Sequence, residues 1–291
     1  MIVPSTASST FRRLHGLDVL TWPVFDALPL DTFVTTRAGG VSAGAYGGLN
    51  LSLNVGDNPG HVLENRRRAA AALDADLADF VFAAQVHGNV AQIVGAADRG
   101  RGTVTAAGAV PGADVLVTAD PGTVLAVLAA DCVPIVLYDP VAHVLACAHA
   151  GWRGTVARAA ASAVTAMASL GADPAVIIAG VGPAVAAARY QVSTEVAGAA
   201  ARAFPDQLAE VLKPAGPDHP DRWRFDLWAA NRLVLRDAGL PDANIHITDV
   251  PTGPPRTGLS RPANLSFFSH RAEQPCGRFA AIARLGRKET R

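Results

Sequence analysis

The stretch Leu125–Gly154, LAVLAADCVPIVLYDPVAHVLACAHAGWRG, decides the reading of the whole chain. Two apolar runs, Thr123–Ala129 and Pro134–Tyr138, flank Ala130-Asp131-Cys132. The turn pair Asp139-Pro140 then leads to a third run, Val144–Ala148, which ends on His149. Short Val- and Leu-rich runs bounded by turn residues predict buried strands. Cys132 and His149 therefore fall at strand ends, where open α/β sheets place their ligands. Alternation turns Cys147 away from that end and into the core. Gly151-Trp152-Arg153-Gly154 leads into a helix expected from Thr155 to about Leu170.

Outward from this block, further strands are expected at Phe33–Thr36, Leu51–Val55, Phe80–Val86 with Val90–Val94 as its continuation, Asp114–Thr118, Val176–Ala179, Ile245–Thr248 and Phe279–Leu285. Helices are expected at Pro59–Leu73, from Ser193 to about Phe204, and at Phe225–Gly239, where Asp226 and Gly239 match cap preferences. Leu212–Arg222 and Thr252–Asn264 read as Pro-rich loops. Residues 1–30 read as a loosely structured lead-in with a strand near Val19–Trp22. Strands and helices alternate without a marked linker, which predicts one α/β domain over residues 31–287, its mixed sheets flanked by helices.

The 291 residues are 50% hydrophobic and 17% charged, the composition of a packed chain and not a disordered one. Basic and acidic residues balance at 25 each, so neither nucleic acid nor an anionic membrane is an expected partner. Three cysteines without framework spacing argue against a disulfide scaffold. The first residues lack the pattern of a signal peptide, and no apolar run reaches about 18 residues, so a reducing cytoplasm and no membrane span are expected.

His87, Cys132 and His149 each follow or interrupt a strand-like run. A catalytic zinc keeps three protein ligands of this kind and one open position. The separations of 45 and 17 residues match no zinc finger, and a buried thiol with two hydrogen-bonded histidines accounts for the same residues. Asp131 would then be the carboxylate that orients a ligating imidazole, or simply a turn residue. Alternatively, Cys132 is a nucleophile with His149 as its base, a dyad that has no need of His87. Gly40-Val-Ser-Ala-Gly44 matches the nucleophile elbow of serine hydrolases, but Tyr46-Gly47-Gly48 follows where a helix is required. That glycine-rich loop reads instead as an anion cradle with Arg37 and Ser42 as donors, or as a surface turn. Gly180-Val-Gly182-Pro183 is too partial for a dinucleotide fingerprint. Arg153 and Arg271 stand beside large aromatics and can clamp an anion bidentately.

Four blocks together resemble the YfiH family, also called the laccase-domain or multicopper polyphenol oxidoreductase family. They are Thr35-Thr36-Arg37-Ala-Gly-Gly-Val-Ser42 with Leu49-Asn50-Leu51; Gln85-Val86-His87-Gly88; Ala130-Asp131-Cys132-Val-Pro134 with His149-Ala-Gly-Trp-Arg-Gly154; and Phe267-Phe268-Ser269-His270-Arg271 with Gly277-Arg278. The resemblance runs from about residue 30 onward. It implies a single α/β domain, and zinc on His87, Cys132 and His149. The activities it implies are phosphorolysis of adenosine, inosine, guanosine or methylthioadenosine, and deamination of adenosine. The catalytic set becomes Cys132, His149, His87 and Asp131; Arg37, Ser42, Asn50 and Arg271 are the candidates for binding nucleoside and phosphate. An older reading of the family as copper oxidases keeps copper as an alternative metal, and thiolate and imidazole would accept it. A link to peptidoglycan precursor editing keeps a Cys–His amide hydrolase as an alternative activity. The sequence departs from the family after Gly182-Pro183 and before Phe267, where relatives often carry cysteines; those departures bear on substrate preference.

Overall fold

In the computed structural model, which describes residues 8–254 and 265–286, the three central runs are strands of two different sheets. Among the described residues, a seven-stranded sheet runs Thr10–Leu14, Leu17–Thr21, Leu30–Thr35, Phe279–Leu285, Val124–Ala129, Phe80–Ala84, Val110–Pro111. A six-stranded sheet runs Ile245–Ile247, Ile178–Val181, Val133–Asp139, Val144–Ala150, Val115–Thr118, Ala91–Ile93. Both are mixed. Phe80–Ala84 pairs parallel with Val124–Ala129, and Ala91–Ile93 parallel with Val115–Thr118, in otherwise mainly antiparallel surroundings.

The two-residue alternation of strands sets the layers. Val136 and Tyr138 pack with Leu125, Val127 and Ala281 between the sheets. Ile135 and Leu137 point the other way, against Ala160, Ala163 and Met167 of the helix Ala159–Ser169. The helix Pro59–Ala71 covers the opposite face of the larger sheet through Ala69 and Ala70. The result is the expected single α/β domain: helix, sheet, sheet, helices. Cys147 is fully buried between the sheets, and burial pushes its thiol far up, so it is core as expected.

Five expectations need correction, the first being the loop Leu212–Arg222, whose opening residues Leu212–Pro214 form a strand paired with Trp223–Phe225. Residues 10–21 are no loose lead-in; they form an antiparallel hairpin that turns at His15-Gly16, both left-handed, and edges the larger sheet. Leu51–Val55 is not a strand. Asn50 and Ser52 side chains accept the N–H groups of Ser52 and Asn54, and such local bonds compete with a ladder. Val90–Val94 does not continue Phe80–Val86; the chain crosses to the other sheet at His87. The helix expected over Thr155–Leu170 is two, Trp152–Val156 and Ala159–Ser169, divided at left-handed Arg158. Within the expected loop Thr252–Asn264, residues 255–264 lie outside the described ones.

Gly180, once a fingerprint candidate, has a packing role. A Cβ there would meet the Trp22 ring at 2.7 Å, and Trp22 is fully buried. Gly180→Ala should therefore cost about 1–3 kcal/mol in urea unfolding, the usual penalty for overfilling a packed core; an unchanged urea midpoint would contradict this packing.

Candidate metal centre

The crossings between the sheets build the site. Phe80–Ala84 ends in the larger sheet, Ala91–Ile93 begins in the smaller, and His87 stands between them with φ 62°. Cys132 sits on the step from Val124–Ala129 to Val133–Asp139, just after Asp131 with φ 85°. His149 is the last residue but one of the neighbouring strand, paired opposite Pro134. One ligand atom from each of His87, Cys132 and His149 lies within 4.8 Å of the others. The imidazole rings meet edge-on, their centroids 4.9 Å apart. Gly151 permits this convergence, because a Cβ there would lie 2.7 Å from Cys132 Sγ and 3.0 Å from His87 Cδ2.

A residue that the sequence reading did not select holds the arrangement. Asp114 is fully buried, and its carboxylate accepts the backbone N–H groups of Val86, His87 and Gly88 at 3.1, 3.0 and 2.6 Å. The same carboxylate lies 2.8 Å from His149 Nδ1, and the Asp114 carbonyl accepts the His149 N–H at 2.8 Å. His149 Nδ1 is thereby occupied, and Nε2 is left for the cluster. Burial pushes the Asp114 carboxyl up, but its bonds to His149 and to the N–H groups of Gly88 and Val86 outweigh that and hold it below the usual carboxylate range. Burial likewise pushes the Cys132 thiol up, yet His149 and His87 draw it down on balance. His149 moves the opposite way: burial lowers it, while Cys132 and Asp114 raise it. At both residues, then, the partner's charge and hydrogen bonds outweigh burial. Two imidazoles and a thiolate are donors that suit zinc and also accept copper.

The expected role of Asp131 is corrected by its contacts. Its carboxylate touches no imidazole and accepts from Thr252 Oγ1, Ser269 Oγ and the Arg271 N–H. Asp114 takes the orienting role. The only outward sign in the sequence was a carboxylate opening a run of fully buried residues, Val115–Thr118.

A cleft of about 570 Å³ opens over the cluster. Besides the three cluster residues and Asp131, it is lined by Trp152, Arg153, Tyr190, Arg271 and Arg278. Of the four residues expected to bind nucleoside and phosphate, Arg271 is among the lining residues. Arg37, Ser42 and Asn50 are not among the lining residues. Arg37 donates to the Gly47 carbonyl and grips both Glu273 oxygens. Ser42 donates to Asp57 at 2.6 Å and accepts from Asn65. Asn50 is fully buried and binds Asp57, Ser52 and the Arg278 N–H. The glycine-rich loop is therefore a brace behind the cleft. Its glycines serve chain packing: a Cβ on Gly40 would meet the Gly48 carbonyl at 2.1 Å. Arg278 and Tyr190 were missed as lining residues, since neither has a spacing that marks it.

Two mixed sheets with a His–Cys–His cluster at their crossings define an α/β protein with a metal centre in outline. Residues 31–286 match the family described as "Multi-copper polyphenol oxidoreductase laccase", and the chain belongs to that family. It is 37% identical over 263 residues to the purine nucleoside phosphorylase YlmD of Geobacillus stearothermophilus, covering 88% of this chain and 89% of the relative. It is 46% identical over 209 residues to a purine nucleoside phosphorylase of Deinococcus radiodurans, covering 72% of this chain and 75% of the relative. The crystal structure of YlmD from Geobacillus stearothermophilus superposes with a TM-score of 0.85 at 33% identity, over 96% of this chain and all of that one. A Bacillus licheniformis hypothetical protein, YfiH, superposes equally well (TM-score 0.85, 33% identity), over 94% of this chain and 98% of that one. No described helix is long and apolar enough to cross a membrane.

Asp114→Asn keeps the shape but offers a single acceptor oxygen to four donors. Zinc affinity, measured by competition with a chromogenic chelator, should fall about 10- to 100-fold, the usual effect of losing a carboxylate behind a ligating histidine. Wild-type affinity in this variant would remove Asp114 from the account.

Proposed function

We propose that the protein is a zinc-dependent purine nucleoside phosphorylase acting on adenosine, inosine, guanosine or methylthioadenosine, and that it also deaminates adenosine. The observation that carries this reading is the convergence of His87, Cys132 and His149 at the floor of a cleft that also holds three arginines and two aromatic rings. The named relatives supply the substrate class. Three free cysteines, one of them a ligand, suit work in the cytoplasm.

In phosphorolysis a phosphate oxygen bonds to ribose C1′ while the bond from C1′ to the base breaks, and the base departs with the electron pair. Arg153, Arg271 and Arg278 present guanidinium groups to the cleft and hold the anion. Trp152 and Tyr190 flank the base. Asp114 keeps the His149 ring turned so that Nε2 faces the ligand cluster. Asp131 acts through the loop it binds and not on the reacting atoms. Arg37 and Asn50 act at one remove, by bracing Glu273 and Arg278, and Ser42 acts through the Asp57 carboxylate it shares with Asn50. Zinc, when bound to the three ligands, supplies Lewis acidity at its remaining position.

Two other readings have support. The thiol drawn down beside a raised imidazole favours a Cys132–His149 dyad acting on an amide, such as a peptidoglycan precursor. The family's description favours copper-dependent oxidation of polyphenols.

Zinc-loaded protein given inosine and phosphate should release hypoxanthine, and given adenosine should release adenine or ammonia, as read by chromatography. Cys132→Ala should lower both rates at least about a hundredfold, the scale on which removal of a catalytic group acts. Absence of free base and ammonia with stoichiometric zinc would overturn the proposal. Amide hydrolysis that survives a chelator would establish the dyad in its place.

A further inference from the structure

Asp131 is a costly residue to keep where it is. Its φ of 85° lies in the left-handed region, which favours glycine. The residue is 8% exposed, and its carboxylate spends its acceptors on three distant donors. Oδ1 takes Thr252 Oγ1 at 2.5 Å and Ser269 Oγ at 2.7 Å, and Oδ2 takes the Arg271 N–H at 2.5 Å. The Asp131 carbonyl accepts the Val185 N–H, so four segments meet at one residue beside Cys132.

Two of these contacts, those from Ser269 and Arg271, hold the arm 269–273. Ser269 accepts from Glu273 through its carbonyl and from the Ala272 N–H through Oγ, which closes the arm into one turn. The far end is held by Arg37 on Glu273, and the near end by Asp131. Between them stands Arg271. One of its nitrogens donates to the Gln191 carbonyl at 2.9 Å, and its guanidinium lies over the Tyr190 ring, 5.0 Å from the centroid. Remaining N–H groups are available for an oxyanion, and a guanidinium presents them as a rigid fork.

We infer that Asp131 is a positioning residue that fixes the arm Ser269–Glu273 so that Arg271 meets the phosphate co-substrate. The inference rests on the phosphorolytic reading for the identity of the anion. It separates two tasks that adjoin in the sequence: Cys132 serves the metal, and Asp131 serves the anion. A carboxylate suits the task because a charged acceptor holds an N–H and two hydroxyls more firmly than a neutral one.

The test is titration calorimetry of inorganic phosphate into the zinc-loaded protein, with zinc content measured in parallel. Asp131→Gly removes the carboxylate and tolerates the positive φ. It should weaken phosphate binding at least tenfold and leave zinc at the wild-type level. Asp131→Asn keeps an acceptor for the arm and should stay within threefold of wild type. Arg271→Ala should match Asp131→Gly, and the double variant should bind phosphate no more weakly than Arg271→Ala alone, as expected of residues that act as one unit. Multiplying effects, unchanged affinity in Asp131→Gly, or loss of zinc together with phosphate would overturn the inference. Should Asp131→Gly not fold, Ser269→Ala carries the same expectation at about threefold, absent in the Arg271→Ala background; unchanged affinity there would likewise overturn it. A wild-type protein that binds phosphate through these residues yet frees no base from inosine would overturn the proposed activity and leave Asp131 in its role.

Discussion

A single carboxylate, that of Asp114, is the interaction on which the rest depends. It lies in a fully dry position, where an unpaired charge would cost several kcal/mol. Three successive N–H groups and one imidazole nitrogen compensate it. The dependence runs both ways. The turn at 86–88 has lost its sheet partners where the chain leaves one sheet for the other, and its N–H groups need an acceptor. The carboxylate supplies it and in doing so fixes left-handed His87 and the His149 ring in one frame. Two histidines separated by 62 positions in the chain are thus oriented by the same pair of oxygens.

Much of this was legible in the sequence, for physical reasons that can be named. Val133–Asp139 and Val144–Ala150 are buried on both faces, so their apolar runs are continuous and their ends are sharp. Asp226 was readable as a cap because its side chain accepts the Ala229 N–H, the bond that cap preferences record. The three cluster residues were legible because each stands where an apolar run stops. Periodicity cannot say which sheet a strand joins, so Val90–Val94 was assigned to the wrong one. Nor does adjacency in sequence imply adjacency of function, which is how Asp131 came to be matched to an imidazole. Asp114 showed only as a carboxylate at the head of an apolar run; its importance comes from donors 26–28 and 35 residues away. The glycine-rich loop misled because close passage of two chain segments and close approach to an anion call for the same residue type.

The cleft's charge is arranged by aromatic faces as much as by acids. Arg153 lies over Trp152 at 4.3 Å, Arg271 over Tyr190, and Arg37, behind them, over Phe268 at 4.7 Å. A guanidinium resting on a ring keeps its planar edge free for hydrogen bonds, which an ion pair with a carboxylate would occupy. Arg37 uses its edge for Glu273, whereas Arg153 stands only at the margin of an ion pair, 3.9 Å from Glu195. The cleft therefore keeps cationic character although the chain as a whole is neutral.

Two of the three cluster residues occupy the very steps by which the backbone passes between layers. A cation seated on them would act as a rivet through both sheets, and anything that binds only the folded chain stabilises it in proportion to its occupancy. Loading and mechanical integrity then become one variable. An empty site would leave the layers at this corner joined by the chain and the Asp114 bonds alone.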